Sequence, residues 1–295
     1  MAPTPRTMPR DSASSSARAP VPWLSIAWFG ALLAACYAPV LTRLVRNWID
    51  DPDMGHAFFV PVIAGYIAWQ RRDEILACPL RSSPWGLAVV AFGALQLYVA
   101  TLGAELFLSR TAFIISLSGV VLYFGGWRLL RLLAFPLFLL CFMVPIPAIL
   151  YNQVTFPLQL IASRVAEVSL SLLGLPVLRE GNVIELPSQT LNVVEACSGI
   201  RSLLSLSFLS LVYAYFFDKK VWMRAALLLA TIPIAIAANA SRVTLTGILS
   251  EYQPDLAEGF FHSAEGWVIF MVALVMLIVV HRLIDWGYRT LRGKG

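Results

Sequence analysis

Three side chains that can together break an amide bond lie far apart in this sequence: Cys197, Arg242 and His262. The thiolate is the reactive form of a cysteine, and a nearby imidazole or cation favours it. A guanidinium offers two hydrogen-bond donors to the oxyanion that forms when a thiolate attacks a carbonyl carbon, and an imidazole can protonate the departing amine. These residue types suffice for acyl transfer through a thioester if the fold brings them together.

The surroundings of the three residues are apolar. Cys197 comes directly before one long apolar run, His262 comes directly before another, and Arg242 lies inside a third. If that third run is helical, Arg242 lies ~27 Å from Arg224, which is close to the thickness of the hydrocarbon core of a bilayer. We therefore expect the three residues near one face of a membrane.

The composition is that of a membrane protein. The chain of 295 residues is 59% hydrophobic and 13% charged, with a mean hydropathy of +0.75, whereas soluble domains average about 25% charged residues. Several runs are long enough to span a bilayer, which excludes a soluble domain. The net charge of +5 comes from short basic clusters between apolar runs, a pattern typical of membrane topology rather than of nucleic-acid binding.

The pattern predicts an all-α polytopic membrane protein with about eight transmembrane helices, an additional amphipathic helix and a small extracytoplasmic β-hairpin near the active site. Residues 1–22 predict a disordered cytoplasmic tail, residues 23–285 a single transmembrane domain and residues 286–295 a basic cytoplasmic C-terminus. The predicted spans are 23–42, 57–70, 84–103, 107–126, 131–150, 199–217, 221–248 and 264–284.

The stretch 157–175 is the predicted amphipathic helix, because Gln159, Ser163, Glu167 and Ser171 recur every four positions. That spacing indicates a helix with one wet or protein-facing side. With both termini in the cytoplasm, 15 of the 22 Lys and Arg residues fall on the cytoplasmic side, provided that this stretch does not cross. We favour that layout; the alternative is a crossing that moves a neighbouring loop to the other side.

Two short β-prone runs between residues 181 and 194 flank a Pro-Ser-Gln-Thr turn, which predicts a hairpin outside the membrane. This hairpin leads the chain directly to Cys197. The sequence has no Gly-rich phosphate loop, CxxC pair or HExxH motif, so we expect no metal and no cofactor.

Four further residues can support the chemistry. An arginine inside an apolar helix should face a partner or a water-filled cavity, and Asn239 shares the face of Arg242 and can orient it. Arg201 is either a second cation near the thiol or an interfacial residue with its head group in water. Glu195 can orient a cation or the loop. His56 comes from a motif described next.

The motifs around these residues resemble those of a known family. The segments "EACSGIRS" at 195–202, "NASR" at 239–242 and "FHSAEGW", which contains His262, are similar to the three signature blocks of the exosortases, whose superfamily includes the archaeosortases. An N-terminal block also resembles theirs, although Gly-His-Ala around His56 stands where the family has Ser-His-Gly. The resemblance extends from about residue 50 to residue 285. The other residues of the N-terminal block that match the family are Val60-Pro61, Trp69, Arg72 and Ile75-Leu76.

The resemblance implies a multi-pass enzyme of the bacterial inner membrane, with its active site facing the periplasm, that cleaves the sorting signal of exported proteins. That PEP-CTERM-type signal has a Pro-Glu-Pro motif, one transmembrane helix and a basic cluster. On this resemblance Cys197 is the nucleophile, Arg242 stabilises the oxyanion and His262 is the general acid and base. The implied partners are such substrate proteins, the lipid bilayer and an unknown acyl acceptor, with no nucleic acid.

Two other classes of function stay open at this point. In a transporter or pore, Arg242 and Arg201 would bind an anionic substrate and Cys197 would be incidental; broken helices near mid-membrane would favour that class. In a non-catalytic assembly factor for exopolysaccharide export, the polar residues would be structural. Substitution of Cys197 separates the enzyme from both alternatives.

Overall fold

Nine α-helices account for most of the part of the chain that the computed structural model describes, which is residues 23–79, 81–192, 199–218, 220–252 and 260–292. The predicted tail 1–22 lies outside these residues. The helices are α1 (Trp23–Asp50), α2 (Phe59–Gln70), α3 (Arg72–Ala77), α4 (Pro84–Leu102), α5 (Leu106–Leu139), α6 (Ala148–Leu172), α7 (Gly199–Phe217), α8 (Val221–Tyr252) and α9 (Phe260–Arg292). Two 3-10 helices (Pro52–Phe58 and Leu140–Met143) and strands β1 (Leu178–Glu180), β2 (Val183–Glu185) and β3 (Thr190–Asn192) complete the described elements.

Five of the described helices are long and apolar enough to cross a membrane. They include Leu24–Asp50, Pro84–Leu102, Leu106–Met143, Val221–Tyr252 and Val268–Thr290. The chain is therefore a multi-pass membrane protein, but the predicted count of eight spans is not confirmed. Helix α2 has 12 residues, or ~18 Å, against about 30 Å of hydrocarbon. The apolar part of α7, Leu203–Phe217, is also shorter than a span.

The run Leu106–Met143, which counts once among these five, contains two helical segments. The predicted spans 107–126 and 131–150 correspond to two helical segments that meet at Gly126, where φ is 64° and ψ is −171° and the backbone is not helical. A glycine adopts such a positive φ without the steric cost of a Cβ atom. The predicted second span is too long at its end, because α5 stops at Leu139 and the chain leaves the helical path after Met143.

Helices α4 and α5 pack closely through small residues. A Cβ atom on Gly86 would collide with the backbone of Tyr123, and one on Gly93 would collide with Ser116. Small residues let membrane helices approach until their backbones touch, which supplies the dispersion contacts that lipid would otherwise make. The Tyr37 hydroxyl, 2.8 Å from the hydroxyl of Ser116, joins α1 to this pair.

Helix α6 is longer than the predicted amphipathic stretch and turns its polar stripe inward. Ser163 is fully buried and Gln159 is nearly so, while Glu167 forms an ion pair of 2.6 Å with Arg179 at the sheet. Ser171, the last member of the stripe, is exposed. Of the two options that the periodicity allowed, the structure shows the protein-facing one for Gln159 and Ser163.

The sheet contains the predicted hairpin as β2 and β3, and adds a strand, β1, that was not predicted. Its order is β1-β2-β3, with both pairs antiparallel. Ile184 of β2 is fully buried in a cluster with Leu170 of α6 and Val243 of α8. Arg179 of β1 is tied to Glu167 of α6, as described above. The hairpin therefore sits on α6 and α8.

Helices α7, α8 and α9 form a bundle around a shared apolar core. The core residues of this bundle include Leu206, Ala214, Met223, Leu227, Ile234, Ala238, Ala273 and Leu277. We call the end of the bundle beside the sheet the sheet end. The opposite end, which holds Asp218 and Lys220 between α7 and α8, is the loop end.

Candidate active site

The first helix pair that positions the candidate residues is α7 and α8. The hydroxyl oxygen of Ser207 on α7 lies 3.2 Å from the hydroxyl oxygen of Thr231 on α8. From this contact Gly199 lies ~12 Å along α7 toward the sheet end, and Asn239 lies the same ~12 Å along α8. The start of α7 is therefore level with Asn239, less than one turn before Arg242.

Helix α9 returns to the same end. At the loop end, the Nζ atom of Lys220 lies 3.5 Å from Oδ1 of Asp285. From this pair, Arg242 and the backbone of His262 both lie ~33–35 Å away along their helices. The rings of Trp222 on α8 and Tyr288 on α9 are also in contact, with 5.2 Å between their centroids. Measured from this contact, Arg242 lies ~30 Å along α8 and His262 lies ~39 Å along α9. The two backbones are therefore level to within about two helical turns.

Arg242 is half-buried on α8. Its Nε atom is buried, and no described residue accepts a hydrogen bond from it. Asn239, three positions earlier on the same face, is only 8% exposed. The Nε donor of this guanidinium is available to an acceptor from outside the described residues, because no described residue uses it.

Four of the predicted site residues fall partly or wholly outside the described structure. Cys197 and Glu195 lie outside the described residues, in the gap between β3 and α7. Arg201 has its backbone in the first turn of α7 and His262 has its backbone in the first turn of α9, but neither side chain is described. The predicted contacts among Cys197, Arg242 and His262 therefore stay predictions.

His56 contacts the chain just after α5 ends. The Nε2 atom of His56 lies 3.2 Å from the carbonyl oxygen of Phe142, and its ring lies 6.3 Å from the ring of Phe208. Phe208 is next to Ser207, which is level with Thr231. Along α8, Thr231 lies ~16 Å from Arg242, toward the loop end. The indole of Trp48 donates to the adjacent carbonyl of Met143 at 2.9 Å. His56 and Trp48 thus bind the carbonyls where the helical path of α5 ends.

A contact that sequence reasoning missed fastens the hairpin to α8. The Oε1 atom of Glu251 accepts a hydrogen bond from the backbone nitrogen of Ser188 at 2.9 Å and another from its hydroxyl at 2.6 Å. The amide of Gln189 donates to the hydroxyl of Ser250. A carboxylate in the last turn of a helix is disfavoured by the helix dipole. A glutamate at the end of a helix therefore indicates that a hydrogen-bond donor lies nearby, and this was the signal in the sequence. We call these contacts the Glu251 clamp.

Among the described residues, no group of three His, Cys, Asp or Glu side chains is placed to hold a metal ion. What the described site offers is a buried guanidinium donor at the sheet end, beside the starts of two helices.

The apolar helices and the inward-facing polar residues define a polytopic helical membrane protein whose polar site lies at one end of a three-helix bundle. Residues 48–279 match the family model of the transmembrane exosortases (Exosortase_EpsH). The match covers most of the chain, which therefore belongs to the exosortase family. No curated protein and no solved structure matches the chain.

Proposed function

We propose that this exosortase is a cysteine peptidase or transpeptidase that cleaves PEP-CTERM-type sorting signals at the outer face of the bacterial inner membrane. The observation that carries the proposal is the donor of Arg242, buried and unused by the described residues, at the end of the bundle where α7 and α9 begin. Family membership supports the same reading.

The proposed reaction has two halves. The Cys197 thiolate attacks the carbonyl carbon of the scissile amide, and Arg242 donates to the resulting oxyanion. The C–N bond then breaks, His262 gives a proton to the departing amine, and a thioester remains. Water or an amine next attacks the thioester carbonyl, His262 takes its proton, and the thiolate is released.

The levels of the helices support this assignment of roles. Cys197 precedes the first residue of α7 by two positions, and that residue is level with Asn239. His262 lies in the first turn of α9, level with Arg242 to within about two turns. An enzyme that uses these three residues needs this convergence, whereas a protein in which they are incidental does not.

We further propose that the sheet end faces the periplasm and that both termini are cytoplasmic. The basic residues of the loop end, Lys220 and Arg224, then lie on the cytoplasmic side, as the positive-inside rule requires. The substrate's transmembrane helix would lie beside the bundle, with its cleavage motif at the sheet end and its basic tail at the loop end.

Processing of a co-expressed PEP-CTERM-type protein tests the nucleophile. Cys197→Ala should abolish cleavage, and Cys197→Ser should retain little, because a hydroxyl is a far weaker nucleophile than a thiolate. The matched control is Cys141→Ala, since Cys141 is exposed at the end of α5 and outside the proposed site. Cleavage by Cys197→Ala at the rate of the unmodified protein would refute the assignment.

A second candidate, transport, is favoured by one observation. The helical path is interrupted between Met143 and Ala148, and interrupted helices mark binding sites in many transporters. The discriminating result is the same substitution: a transporter should keep its activity in Cys197→Ala, whereas the enzyme should lose it.

A further inference from the structure

Helix α9 contacts its neighbours in two chemically different ways. Every residue from Val268 to Val280 is apolar, and this part packs on α7 and α8 through residues such as Ala273 and Leu277. The polar contacts of its described side chains with α7 and with the loop before α8 come afterwards, at His281, Asp285 and Tyr288. Residues 268–280 of α9 are therefore held by apolar packing alone.

Apolar packing in a membrane sets the register of a helix weakly. Lipid tails are as apolar as the side chains of a neighbouring helix, so a helix that slides by one turn exchanges one set of dispersion contacts for another. A polar residue buried between helices is different, since it has one partner and loses that partner when the helix slides. Such residues can specify register.

His281 is a residue of this kind. It is 7% exposed, and its Nδ1 atom shares a hydrogen bond of 2.9 Å with the hydroxyl of Tyr213 on α7. Its Nε2 atom lies 3.6 Å from Oδ2 of Asp218, whose other oxygen accepts a hydrogen bond of 2.8 Å from the backbone nitrogen of Lys220. One imidazole thus joins α9 to α7 by a hydrogen bond and faces the loop before α8, where its Nε2 atom has no hydrogen-bond partner among the described residues.

Neighbouring charges add to this contact. Asp285, one turn after His281, lies 3.5 Å from Lys220 and 2.6 Å from Arg289. The ammonium group of Lys220 also lies 4.1 Å from the ring centroid of Tyr288. Lys220 thus gives α9 a second contact with the loop end, while the pair of Asp285 with Arg289 lies within α9 itself.

We infer that the chain Tyr213–His281–Asp218 is a register lock that sets the height of His262 at the opposite end of α9. The lock lies ~28 Å from His262 along the helix, and a one-turn slip of α9 would move His262 by ~5.4 Å. Displacements of even ~1 Å cost roughly 100-fold in rate at a catalytic site. This inference rests on the proposed role of His262, and it makes His281 a positioning residue rather than a catalytic one.

The test compares two tyrosines of α7. Tyr213→Phe removes the hydroxyl that meets His281. Tyr215→Phe is the control: it also removes a tyrosine hydroxyl, but the ring of Tyr215 stacks on the ring of Phe135, with 4.5 Å between centroids. His281→Ala is the stronger variant, and Tyr213→Phe keeps the test valid if His281→Ala does not fold.

The first readout is a distance that does not depend on activity. Spin labels are attached at Leu245→Cys on α8 and Val268→Cys on α9, positions that are 41% and 61% exposed, after the four native cysteines have been replaced. Tyr213→Phe should broaden the distance distribution or shift it by up to ~5 Å, and Tyr215→Phe should leave it unchanged. An unchanged distribution in both Tyr213→Phe and His281→Ala overturns the inference.

The second readout is the rate of substrate processing in chains that retain their cysteines. Tyr213→Phe should lower kcat about tenfold without changing KM, and Tyr215→Phe should not. A shifted distance with a normal rate overturns the positioning role. If the unmodified protein processes no substrate while the distance still shifts in Tyr213→Phe, the proposed function fails and the register lock stands.

Discussion

The Glu251 clamp connects the helix that carries Arg242 with the hairpin that leads to Cys197, so its removal should loosen the geometry between the two. Glu251→Ala removes both hydrogen bonds to Ser188. The hairpin then stays attached through its apolar contacts and through the hydrogen bond between Gln189 and Ser250. Leu186 remains in contact range of the Gly247 position on α8. We therefore expect a hairpin that is still folded but less firmly attached.

The size of the effect follows from the two hydrogen bonds, at 2.9 and 2.6 Å. Hydrogen bonds to charged groups contribute about 1.5–3 kcal/mol each when protected from water. Those at Glu251 are near solvent, so about 2 kcal/mol for the pair is a fair magnitude. Since 1.4 kcal/mol is a factor of ten, the ratio of attached to detached hairpin should fall roughly 30-fold. The contacts that remain limit the expected loss of kcat to about tenfold.

Two matched variants isolate the clamp. Glu251→Gln keeps an acceptor oxygen without the charge, and neutral hydrogen bonds contribute about 0.5–1.5 kcal/mol, so its rate should be intermediate. Glu185→Ala removes an exposed carboxylate from β2 in the same sheet and should leave the rate unchanged.

The assay combines processing kinetics with thiol labelling. In a chain whose only cysteine is Cys197, the rate of modification by a membrane-impermeant thiol reagent should change in Glu251→Ala and stay constant in Glu185→Ala. If Glu251→Ala processes substrate and reacts with the reagent as the unmodified protein does, the clamp has no part in positioning Cys197.

The remaining predictions concern Arg242 and the sidedness of the protein. Arg242→Lys keeps the charge but loses the paired donors of a guanidinium, so kcat should fall roughly 100- to 1000-fold at a normal amount of membrane-inserted protein; a loss below threefold would contradict the role in oxyanion binding. An alkaline phosphatase reporter fused after Gly174 should be active, because that enzyme folds only in the oxidising periplasm. An inactive reporter in a stably expressed fusion would place the start of the sheet in the cytoplasm and reverse the proposed orientation.

The local elements were predicted from the sequence where the signal lay in one segment. The hairpin was predicted from its β-prone runs and its Pro-Ser-Gln-Thr turn, and β2 and β3 confirm it. The helical periodicity of 157–175 was predicted as well. Strand β1 was missed, because its three residues form a strand only by pairing with β2.

The count of spans was less predictable, since hydropathy does not measure where a helix bends or stops. Gly126 has a non-helical backbone and divides α5 into two helical segments close to the predicted end of the span 107–126, and α2 is too short to cross by itself. The inward orientation of Gln159 and Ser163 was one of two options left by the periodicity, and only the packing of α6 against the rest of the chain decided between them.

For the candidate site, the sequence by itself determined the residue types, their places next to apolar runs and the family that these motifs resemble. All of these are properties of short segments, read from hydropathy, periodicity and residue identity. The tertiary structure decided that the start of α7 is level with Asn239. It also placed His56 at the carbonyl of Phe142 and paired Glu251 with Ser188 and His281 with Tyr213. These pairings join residues that are distant in the chain, and in an apolar surrounding only the packed helices determine which polar groups meet.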